Sequence, residues 1–177
     1  MKVKLNLSRE VGRLLITCLL PWAFVIAAEP VRTVILVRHA ERAGGIDPSV
    51  GISEVGRCRA KVLAGMLADA KVQGIYTSEV ERTQQTAEPL AEKLGIRPEV
   101  VPAKDIDILA AKLRAGAAEG TLLVVGHSNT VPAVVERLSG ETEPPIGESE
   151  YDRLFVVTLI GPNQAKVVTL RYPGCAQ

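Results

Sequence analysis

The sequence predicts a three-layer α/β domain with a mostly parallel central sheet and a C-terminal hairpin. Two observations carry that prediction: strand-like and helix-like segments alternate along residues 29–177, and the apolar runs at 34–37 and 122–125 lack the in-out alternation of a half-solvated strand. A third fixes the functional edge, because His39 and His127, the two histidines of the chain, each follow one of those runs after a single intervening residue. The 177 residues are 47% apolar, 23% charged and 3% aromatic, enough for one well-buried core but not for two. A formal charge of +1 excludes the strong basic field of a nucleic-acid binder or a polybasic membrane patch. The apolar fraction excludes disorder.

The first element is read as a signal peptide over residues 1–28, followed by a single domain over 29–177. Lys2, Lys4, Arg9 and Arg13 precede an apolar run from Leu14 to Ala28, with cleavage expected before Glu29 and export, to the periplasm, as the consequence. The alternative, an N-terminal membrane anchor, falls short of the roughly 20 apolar residues a spanning helix needs, since the run holds 15 and contains Pro21. Processing leaves 17 basic and 19 acidic side chains, a net of −2. It also leaves Cys58 and Cys175, for which a disulfide and a buried core thiol are both open readings.

The remaining elements follow in order. Val34–Val37 reads as a strand buried on both faces. Residues 53–70 read as a helix with Ser53 as N-cap and an inward stripe of Val55, Cys58, Val62, Met66 and Ala70. A short strand is expected near Gly74–Tyr76. The next helix, 79–94, has Ser78 and Glu81 in capping-box spacing, a stripe of Val80, Thr83, Ala87, Leu90 and Leu94, and Gly95 as its end. Glu99–Val101 is a third strand and Asp105–Ala117 a third helix, closed by Gly120. After Leu122–Val125, residues 129–138 form a fourth helix that tolerates Pro132 only in its first turn. Arg153–Ile160 and Ala165–Arg171 flank Gly161-Pro162-Asn163 as a hairpin at a sheet edge.

Ligands in such folds bind beyond the carboxyl ends of the strands. There Arg38, His39 and Arg42 crowd two guanidiniums and an imidazole into five residues, a cluster that would repel itself without an anionic partner. Arg82 adds a third guanidinium in the first turn of the second helix. Gly126-His127-Ser128 passes from strand to helix N-terminus, whose free N–H groups also favour an anion.

With those residues in view, the chain resembles the histidine phosphatase, or phosphoglycerate mutase-like, superfamily. The matching pieces are Arg38-His39-Ala40-Glu41-Arg42, Thr77-Ser78-Glu79-Val80-Glu81-Arg82-Thr83-Gln84-Gln85-Thr86-Ala87 and Gly126-His127-Ser128, in the family's order. Ala40 stands where many members have glycine. The resemblance implies that His39 is the phosphate-accepting nucleophile, that Arg38 and Arg82 bind phosphoryl oxygens, that His127 completes the pocket, and that Arg42 is a further phosphate ligand as in the phytase-like branch. It implies metal-independent hydrolysis of phosphomonoesters through a phosphohistidine, with no cofactor and no metal. The proton donor is expected at Asp105, with Asp107, Glu41 and Glu148 as contenders.

Three other readings compete with this one. A serine hydrolase using Ser128 would need a histidine after residue 127, and none exists. A zinc enzyme finds no usual ligand spacing. A phosphoryl-binding domain without turnover remains the non-enzymatic alternative. The expected partner is a small phosphorylated substrate, such as a sugar phosphate, or a phosphoprotein bearing phosphohistidine, and not a nucleic acid. Few insertions leave an open pocket of broad selectivity.

Overall fold

The computed structural model describes residues 31–45, 47, 49–115 and 120–175; the expected signal peptide lies outside these residues. Six strands form one sheet: β1 (Val31–Arg38), β2 (Val72–Thr77), β3 (Glu99–Val100), β4 (Gly120–Gly126), β5 (Arg153–Ile160) and β6 (Gln164–Arg171). Four helices connect them: α1 (Glu54–Leu67), α2 (Glu81–Leu94), α3 (Ile106–Ala115) and α4 (Thr130–Ser139). The strand order is β3-β2-β4-β1-β5-β6. The first four run parallel, β5 is antiparallel to β1, and β6 is antiparallel to β5.

Helices cover both faces of the parallel part. One core joins Ile35, Val37, Leu123 and Val125 of the sheet to Leu63 and Leu67 of α1 and Leu90 of α2. The other joins Val34, Leu36, Val124 and Phe155 to Leu113 of α3 and Val134 and Leu138 of α4. This two-sided covering is why β1 and β4 are apolar at successive positions. The predicted fold class and the C-terminal hairpin are both present. No described helix is long and apolar enough to cross a membrane.

The helices correct the sequence reading in detail. Ser53 does cap α1, its Oγ accepting from the Gly56 N–H at 3.1 Å. The inward face, however, is Gly56, Arg59, Ala60, Leu63, Ala64 and Leu67, while Met66 is 49% exposed. The helix is rotated because Gly56 packs on the Glu41 carbonyl, where any side chain would collide, and because Arg59 turns inward to meet the Glu41 carboxylate. The capping box expected at Ser78 and Glu81 does not form. Val80 occupies the N-cap of α2 without a side-chain cap bond, and Ser78 is turned to other partners. Gly95 ends α2 in the left-handed region at φ 65°, as expected of a C-cap glycine.

Cys58 and Cys175 form a disulfide with Cα atoms 5.9 Å apart, which selects the bridge over the free core thiol. It fastens the tail after β6 to α1.

Candidate active site

Register brings the two histidines together. Arg38 of β1 pairs with Gly126 of β4, so both strands end at the same level, and the His39 N–H donates to the Gly126 carbonyl at 2.9 Å. The imidazole centroids lie 5.5 Å apart in an edge arrangement. The segment after β1 is held by α2: the Ala40 N–H donates to Thr86 Oγ1 at 2.9 Å and the Ile52 N–H to Gln85 Oε1 at 2.8 Å. The helix that carries Arg82 therefore also fixes the loop beside His39.

His39 is 5% exposed. Its Nδ1 lies 2.8 Å from the Ala40 carbonyl, an acceptor only, so the hydrogen resides on Nδ1 and the lone pair on Nε2. Burial is the main force holding its pKa down, from 6.5 to about 4, and the charges of His127, Arg38 and Arg82 act in the same direction against the Ala40 hydrogen bond. His127 is also pushed below its ordinary value, by burial first and then by Arg82 and Arg38, with Glu79 opposing. Both guanidiniums thus act on both rings. Both imidazoles are neutral at neutral pH.

The arginines share a pattern. Arg38, 3% exposed, donates through Nη1 to the carbonyls of Gly147, Glu148 and Glu150 at 2.6, 2.9 and 3.0 Å. Arg82 donates through Nη1 to the carbonyls of Asp47 and Val50 at 3.1 and 3.3 Å. In each, one nitrogen is pinned by backbone carbonyls, and the buried Nε has no protein partner. A buried N–H left unpaired is costly unless a ligand accepts from it.

The loop around Arg38 is itself braced. Glu150 accepts from the Gly147 N–H, Arg153 and Arg171, while Arg153 also donates to the Pro144 carbonyl. Tyr151 stacks 4.2 Å from the Arg38 guanidinium carbon, with its ring centroid 6.1 Å from that of His39.

Sequence reasoning singled out Arg38, His39, Arg82 and His127, and the structure gathers these four. Arg42 bridges through its backbone to Ile52, and its side chain is exposed. Glu41 is bound by Arg59 through Nε at 2.9 and 3.0 Å and through Nη2 at 2.7 Å. Asp107 pairs with Arg137 on the surface. Asp105 is half-buried before α3, at the margin of a small cavity shared with Thr77, Ser78 and Gly126. Glu148 is 3.7 Å from Arg38 Nη2. Residues unassigned from sequence are Ser78, Thr83 and Tyr151. Ser78 lay inside a recognised segment but was read as a cap, whereas Tyr151 precedes a strand without any local pattern.

The Glu41 pairing makes a prediction. Because its side chain is 20% exposed and that of Arg59 11%, Glu41→Gln leaves a mostly buried guanidinium uncompensated. Unfolding by urea should show a loss of about 3 kcal/mol, with turnover per folded molecule nearly unchanged.

The fold is phosphoglycerate mutase-like α/β, with Arg38, His39 and His127 at strand ends and Arg82 in the first turn of α2. Residues 34–105, less than half of the chain, match the family model described as "Histidine phosphatase superfamily (branch 1)". The solved structure of the protein histidine phosphatase SixA complexed with tungstate superposes with a TM-score of 0.66 at 23% identity, covering 78% of this chain and 96% of that one. Mycobacterial glucosyl-3-phosphoglycerate phosphatase Rv2419c gives 0.62 at 15% identity, over 81% of this chain and all of that one. Phosphoglycerate mutase from Plasmodium falciparum gives 0.57 at 18% identity, over 81% and 91%. These likenesses establish the fold. Among curated proteins, the PE-PGRS family protein PE_PGRS11 of Mycobacterium tuberculosis is 40% identical over 74 residues, spanning 37% of this chain but only 13% of that protein.

Proposed function

We propose that the protein is a phosphohydrolase that cleaves phosphomonoesters through a covalent phosphohistidine on His39, without a metal. The observation that carries this reading is the pair of buried, unpartnered Nε groups on Arg38 and Arg82 beside a histidine whose Nε2 lone pair is unprotonated. His39 Nε2 attacks phosphorus, and the phosphorus–oxygen bond of the ester breaks as the nitrogen–phosphorus bond forms. Arg38, Arg82 and His127 hold the equatorial oxygens, where charge spreads in the transition state. Water then cleaves the phosphohistidine, releasing phosphate and restoring neutral His39.

The departing alkoxide takes a proton. Glu41 and Asp107 are held by Arg59 and Arg137, whereas Asp105 stands at the margin of the cavity beside Ser78 and Glu148 pairs with Arg38 of the site itself, so these two are the candidates for that role. Asp105→Asn and Glu148→Gln, compared with an ester whose leaving group needs no proton, separate them: the donor variant slows alkyl esters and spares the activated one.

Export is part of the same proposal, and the Cys58–Cys175 bridge supports it, because such bonds persist in oxidising compartments. The N-terminal residue of the protein recovered from cells tests cleavage before Glu29.

Phosphate release from an aryl phosphate with EDTA present tests the reaction. Since His39 attacks only when unprotonated, kcat/KM should rise with pH through about 4, not through 6.5. The same shift governs stability: between pH 4 and 6.5 the unfolded chain binds more protons than the folded one, so stability rises with pH across that window. No release with EDTA, while inorganic phosphate still binds, would instead indicate a phosphoryl-binding domain.

A further inference from the structure

We propose that Ser78 is a positioning residue that fixes the tautomer of His127, directing the Nδ1–H of that ring to the phosphoryl group. The inference rests on the phosphoryl-transfer reading above and adds a residue to it. Ser78 is 5% exposed, and its Oγ lies 2.9 Å from His127 Nε2 and 3.0 Å from Thr83 Oγ1 while accepting from the Val80 N–H at 3.2 Å. Thr83 is fully buried.

The hydrogens can be counted. Thr83 has one hydroxyl hydrogen, which goes to the Val80 carbonyl at 2.8 Å or, less closely, to the Ser78 carbonyl at 3.2 Å. With its hydrogen there, Thr83 Oγ1 accepts toward Ser78, from the Ser78 N–H at 3.2 Å and from the hydroxyl. The single hydrogen of Ser78 has two destinations, Thr83 Oγ1 and His127 Nε2. When His127 is neutral, donation to Nε2 places the ring hydrogen on Nδ1. When Nε2 carries a hydrogen it donates to Ser78, whose own hydrogen turns to Thr83; of the two neutral rings, only the one that accepts from Ser78 presents an N–H at Nδ1. Both protonation states are accommodated with no buried donor or acceptor left unpaired.

Among the described residues no group bonds His127 Nδ1, and the backbone N–H of His127 is anchored on Thr130 Oγ1 at 2.9 Å. The ring is thus held by one nitrogen while the other is left for substrate. The tautomer matters because the imidazole is neutral at working pH: Nδ1–H attracts a phosphoryl oxygen, whereas a bare Nδ1 lone pair repels it. Ser78 acts through His127 and does not itself touch the reacting atoms.

Nitrogen NMR of the full chain labelled at histidine is the direct test. The chain has two histidines, so His39→Gln assigns the spectrum. The expected result is a neutral His127 protonated at Nδ1, converting in Ser78→Ala to the Nε2–H form favoured by free histidine. In the same variant kcat should fall about 10- to 100-fold with KM for an aryl phosphate nearly unchanged. Thr83→Val should keep the Nδ1–H tautomer and lower the His127 pKa, since the charged ring then loses the rotated hydroxyl. A wild-type His127 carrying its hydrogen on Nε2, or a Ser78→Ala spectrum with the wild-type tautomer, overturns the proposal. The wild-type spectrum decides even if Ser78→Ala fails to fold. Turnover that survives in His39→Ala would overturn the phosphatase reading while leaving the tautomer measurement intact, so the two failures are distinguishable.

Discussion

His39→Ala is expected to lower kcat for phosphate release by at least about 10⁴-fold, because loss of a covalent nucleophile removes the first chemical step altogether. No second group is placed to substitute. The His127 ring is tied by Nε2 to Ser78, and the described residues hold no further histidine. The variant should still fold, since the His39 side chain contributes one hydrogen bond, to the Ala40 carbonyl, and the backbone bond to Gly126 is unaffected. The check is a rapid quench under basic conditions, which preserve a phosphoramidate: label from a radioactive ester should appear on wild-type protein and not on the variant. Turnover retained by folded His39→Ala contradicts the mechanism.

The second large effect is at Arg82. Arg82→Lys keeps the charge but replaces a planar fork with a single ammonium, which cannot both bond the carbonyls of Asp47 and Val50 and present a second N–H to the phosphoryl group. The expected loss is about 10²- to 10³-fold in kcat/KM, the scale of removing one oriented donor from a developing oxyanion. Binding of inorganic phosphate should weaken far less, since the charge remains. A loss under about threefold would mean that Arg82 serves only to hold the 47–50 turn.

What the sequence disclosed, and what it hid, follow from the range of the interactions concerned. Strands β1 and β4 were legible because burial on both faces leaves an uninterrupted apolar run, and the histidines at their ends inherit their position from the fold class. The inward face of α1 does not follow its apolar side chains, because the helix is oriented by Gly56, which has no side chain, and by Arg59, whose charge is matched by Glu41 18 positions earlier. That match is tertiary and leaves no periodic trace. The carboxylates suffered in the same way: Glu41 stands within the first motif yet serves an ion pair, and Asp107 faces Arg137 across a helix pair. Ser78 reads locally as a cap, and the partner that takes its hydroxyl, His127, lies 49 residues on, beyond the reach of any local pattern. Tyr151 reaches the site because β5 is antiparallel to β1, pairing Leu154 with Val37 and returning the chain to the same edge.

That antiparallel return separates two properties usually entangled in α/β proteins. Residues 144–153 are anchored to Arg38, Arg153 and Glu150, while the stretch from Glu141 to Glu143 is exposed or half-buried and connects that anchored turn to the end of α4. An insertion in this tether is expected to leave strand register intact, at a closure cost of about 0.6 kcal/mol for each doubling of loop length.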